Sequence, residues 1–192
     1  ELLQPFVPVE VRRLGSMALE QYNVIILPEG SYAGTLGTAG MNRLRDWVRG
    51  GGALITMGSS VSLLENKEMG LRAVPEPDKK DAPKLTAEDT TLTGGGTFPF
   101  VSPSAKGNQT AEGVPGAIAR ATIDRTIWLA WGYERDQLAV PVPGDFLKPS
   151  KGGDNVVVFN EKTPVLSGFT WPGNTDKFLT GSVWASVERA GR

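Results

Sequence analysis

The 192-residue chain contains no cysteine and no histidine. Without cysteine there are no disulfides and no thiolate nucleophile; without histidine there is no imidazole base. Losing both removes the donors of every ordinary zinc site, so the sequence predicts no metal site and no cofactor of its own. Excess charge is missing as well. Lys plus Arg number 20 and Asp plus Glu 21, a net charge of −1, which gives no basic footprint for nucleic acid or an anionic membrane. No apolar run approaches the ~18 residues that span a bilayer, so no membrane span is expected. The N-terminus also lacks the basic, apolar and small-residue regions of a signal peptide. Glu1 and Arg192 resemble neither a natural start nor a natural stop, and the chain reads as a piece of something longer.

What is present suits one domain over residues 1–192, with 40% hydrophobic and 21% charged residues and enough length to bury a core. Glycine at 24 and proline at 14 make about a fifth of the chain, below the level of general disorder, and predict long loops. Phe6 to Arg13 alternates Val7, Val9 and Val11 with polar neighbours, the period of a half-buried strand. Tyr22 to Leu27 carries four consecutive aliphatics closed by Pro28, Glu29 and Gly30, which predicts a strand buried on both faces. Met41, Leu44, Trp47 and Val48 fall at helical spacing between Gly40 and Arg49, and Gly50, Gly51 and Gly52 stop the helix. Ala53 to Met57 is a second buried strand, after which Gly58, Ser59 and Ser60 open a helix. The order strand, helix, strand, helix implies a parallel βαβ unit.

Residues 75–113, with five Pro and five Gly, predict a flexible insertion. Beyond it, Ala117 to Ile123, Gln137 to Val140 and Val156 to Phe159 predict strands. Asn174 to Leu179 predicts a short helix capped by Asn174 or Thr175, and Val183 to Val187 a last strand.

Chemistry is sparse. A buried strand, a small-residue turn at Gly58, Ser59 and Ser60 and then a helix is the layout of a nucleophile elbow. A serine hydroxyl needs a base, however, and the nearest lysine in sequence, Lys67, falls on the far end of that helix. The favoured reading is a turn whose serine caps the helix. Asp and Glu form no recognisable dyad or calcium loop, and Gly94, Gly95 and Gly96 lack the lysine of a phosphate loop. Binding candidates are Glu29, at the C-terminal end of the first buried strand, and the aromatic residues Trp128, Trp131 and Trp171. For the aromatics, packing weighs against a sugar- or peptide-binding surface.

YNVIILPEG followed by NRLRDWVRGGGALITMGSS resembles the class I glutamine amidotransferase-like fold. The blocks VPGAIARATID, TIWLAWGYE, FLKPSKGGDNVVVFNE and LSGFTWPGNTDKFLTGSVWASVERAGR, in that order, resemble the C-terminal extension of bacterial secreted zinc carboxypeptidases. The resemblance implies a flavodoxin-like three-layer α/β fold with a mainly parallel central sheet, a strand-rich second half and a long insertion. It implies a secreted or periplasmic location and a non-catalytic accessory role beside the catalytic peptidase domain of the same polypeptide. That role would be served by packing, by binding substrate or partner, or by homodimerising, with zinc held in the catalytic domain alone. The family's zinc ligands have no counterpart here, and Gly58 or Ser59 stands where an amidotransferase has its cysteine. The pattern also implies sheet strands outside Glu1 and Arg192, whose absence leaves an edge to be covered. The other reading is a stand-alone small-molecule or glycan-binding module of amidotransferase-like fold.

Overall fold

The computed structural model describes residues 5–74, 111–114, 116–160 and 165–191. They belong to two compact units, Glu1–Arg72 with Arg189–Arg192, and Ala73–Glu188.

In the first unit, helix α1 (Val11–Leu14) leads into strand β1 (Val24–Leu27), helix α2 (Ala33–Arg49), strand β2 (Ala53–Thr56) and helix α3 (Ser62–Glu65). β1 and β2 pair in parallel, Val24 opposite Ala53 through Leu27 opposite Thr56. α2 is the crossover, and its buried residues Leu36, Met41 and Leu44 pack with Leu27, Leu63 and Met69, joined by the half-buried Ile25 and Leu54. α2 begins earlier than the periodicity predicts. Its glycine-rich first turn is broken from the rest at Gly37, at φ 60°, where lack of a Cβ permits a left-handed residue.

In the second unit, β3 (Gly116–Ile123), β4 (Gln137–Pro141), β5 (Asp154–Val158), β6 (Val165–Phe169), helix α4 (Thr175–Leu179) and β7 (Val183–Val187) follow in order. The sheet runs β4-β3-β5-β7, with β6 also on β3, and all of these pairings are antiparallel. Ala117, Ala119, Ala121 and Ile123 of β3 point inward. These small inward residues leave room for Phe146, Phe159 and Phe178, of which Phe146 and Phe178 stack at 6.2 Å. β7 also meets Leu147 on the segment after β4, where the Val183 amide donates to the Leu147 carbonyl at 2.8 Å.

This architecture corrects the expected flavodoxin-like fold. The parallel sheet has two strands, and the five-stranded sheet is antiparallel. Parallel neighbours need a crossover of about a dozen residues or more, usually helical. Among the described residues only α2 supplies a full helical crossover; β3 to β7 are linked by α4 and by segments without an α-helix, such as 124–136 and 142–153, and each strand pairs antiparallel with its neighbour. The βαβ reading of the first half holds for β1, α2 and β2, but β1 is not buried on both faces: Val24 and Ile26, with Ile55 and Met57 beside them, are exposed. Phe6 to Arg13 is not a strand either. Its first residues are unpaired and its last begin α1, while Val9 and Val11 reach the core cluster from that irregular path. β6 was not expected from the sequence. The predicted insertion lies outside the described residues except for Ala111, Glu112 and Gly113, of which Ala111 is buried in the second core.

Candidate functional site

In the first unit the loops after β1 and β2 meet at the C-terminal end of the parallel sheet, and Glu29, Gly58, Ser59 and Ser60 come together there. Gly58 holds the sharp position of the turn, at φ 57°, with the aliphatic stem of Glu29 lying over its Cα hydrogens. In a nucleophile elbow that strained position carries the nucleophile; here it carries no side chain. Ser59 is half-buried, and its Oγ accepts the Gly30 amide at 3.2 Å, tying the two loops together. Tyr32 supports the first loop by donating its hydroxyl to the Pro28 carbonyl at 2.9 Å.

Ser60 is buried. Its Oγ accepts the Met57 amide at 2.8 Å, and its one proton faces the carbonyls of Met57 at 2.8 Å and Leu27 at 3.1 Å. It reaches back to the residue before the turn, half of a capping box, and does not cap the first helical amides. Among the described residues neither serine is hydrogen-bonded to a carboxylate or an amine, so neither hydroxyl has a base positioned to take its proton.

The aromatic candidates lie elsewhere and apart from one another. Trp128 and Trp131 stand on the β3–β4 connection, beyond Ile123. Trp171 follows β6, next to the opposite end of β3, where Phe169 pairs with Gly116. The eight residues of β3 separate the two groups by about 23 Å at ~3.3 Å per residue. Trp171 meets Phe169 edge-on at 4.9 Å, and its indole N–H donates to the Gly113 carbonyl at 3.0 Å. Two exposed side chains escaped the sequence reading. Leu129 joins the Trp128 loop, and Trp184 on β7 donates its indole N–H to the Pro141 carbonyl at 3.1 Å. The only sequence signal for Trp184 was its place one residue after Val183 on an alternating strand, which puts it on the outer face.

No group of three or more Asp and Glu capable of holding a metal ion occurs among the described residues. Among the same residues no helix is long and apolar enough to cross a membrane. No family model, curated protein or solved structure matches the chain.

Proposed function

We propose that the chain is a non-catalytic interaction module and, on the block resemblance of its second half, that it accompanies the catalytic domain of a secreted zinc carboxypeptidase. The observation that carries the non-catalytic part is Gly58. The one backbone position of the β2 turn shaped for a nucleophile has no side chain, and the buried hydroxyl two residues on spends its hydrogen bonds holding strand ends. The work of such a module is to pack against a partner or to hold a substrate beside someone else's chemistry. The exposed edge-on pair Phe169 and Trp171 favours one second reading, a glycan-binding module that stacks sugar rings on these faces.

Incubation of the chain with a fluorophosphonate probe tests the first part, and the expected result is no label on Ser59 or Ser60. A covalent adduct at either serine overturns it. Deleting this region from the full peptidase tests the second part. Turnover of a small chromogenic substrate is expected to survive while turnover of a protein substrate falls, and equal loss on both defeats the accessory role.

A further inference from the structure

We draw no further inference here: the strongest candidate, the apolar surface patch formed by the exposed side chains of Trp128, Leu129, Trp131 and Tyr133 on the connection between β3 and β4, carries none because nothing in the structure shows what covers it.

Discussion

The indole of Trp47 lies directly on the backbone of Gly52, leaving no space for a Cβ, while its N–H donates to the Tyr22 carbonyl at 3.3 Å. One side chain thus joins the end of α2 to the starts of both parallel strands. Gly52→Ala is expected to cost about 1–3 kcal/mol through overpacking. Gly34 in α2 faces open space, and Gly34→Ala is expected to stabilise by about 0.4–1 kcal/mol. Urea unfolding of the two variants measures both, and the opposite signs separate a packing constraint from a general effect of adding a methyl group.

The two serines of the β2 turn are expected to differ in stability terms alone. Ser60→Ala removes a buried hydroxyl that bridges the Met57 amide to the Met57 and Leu27 carbonyls, although that amide keeps its own bond to the Leu27 carbonyl at 3.1 Å, and should cost about 1–3 kcal/mol. Ser59→Ala removes one partly buried bond to Gly30 and should cost about 0.5–1.5 kcal/mol. Denaturation midpoints check the order, and a larger loss at Ser59 contradicts it.

Gly168 sits at φ 89° with the Gly116 carbonyl and Ala117 of β3 closing over it. Alanine there meets backbone strain and backbone atoms together, neither of which can swing aside. Gly168→Ala is expected to cost at least ~2 kcal/mol. Amide exchange across the β3–β6 pairs is the direct readout, since they should lose protection first.

Thr126 holds the Asp124 carboxyl below its ordinary value of 3.8, first through the Thr126 hydroxyl and then through the Thr126 amide. A carboxyl depressed on folding contributes stability that is present above its unfolded pKa and is lost as pH falls through the folded one. The loop is therefore expected to loosen only below about pH 4. An NMR titration of the Asp124 carboxyl in Thr126→Ala should show it moved upward towards the ordinary value, and an unchanged midpoint rules out the hydroxyl as the main cause.

Much of the local structure was legible in the sequence because local physics fixes it. Val183 to Val187 has the bounds of β7, and the alternating alanines of β3 announce one buried face; α4 starts where expected, but its cap does not form, since Asn174 accepts the Glu112 amide and Thr175 the Trp171 amide instead of a helical one. The global arrangement was not legible. VIIL reads as the centre of a large parallel sheet, yet burial on both faces depends on how many strands and layers surround it, which four residues do not encode. VLSGF escaped notice because Gly168 interrupts its pattern and its pairing partner, β3, lies far back in the chain. At the site, the small-residue turn was visible, but which of Gly58, Ser59 and Ser60 took the strained position was a matter of backbone angle. Trp128, Trp131 and Trp171 looked like one group in composition and fell at opposite ends of one strand.

The contact between Leu147 and Val183 has a bearing on how the chain is made. As the chain is made, β3 and β4 emerge first of this sheet's strands and pair as near neighbours, while β7, which meets both β5 and Leu147, is the last of them to appear. Until β7 arrives, the core of the β3 alanines and the phenylalanines lacks the flanking side chains of Ala185 and Val187. While that strand is missing the unit exposes apolar surface, the condition in which a partly made domain is open to aggregation.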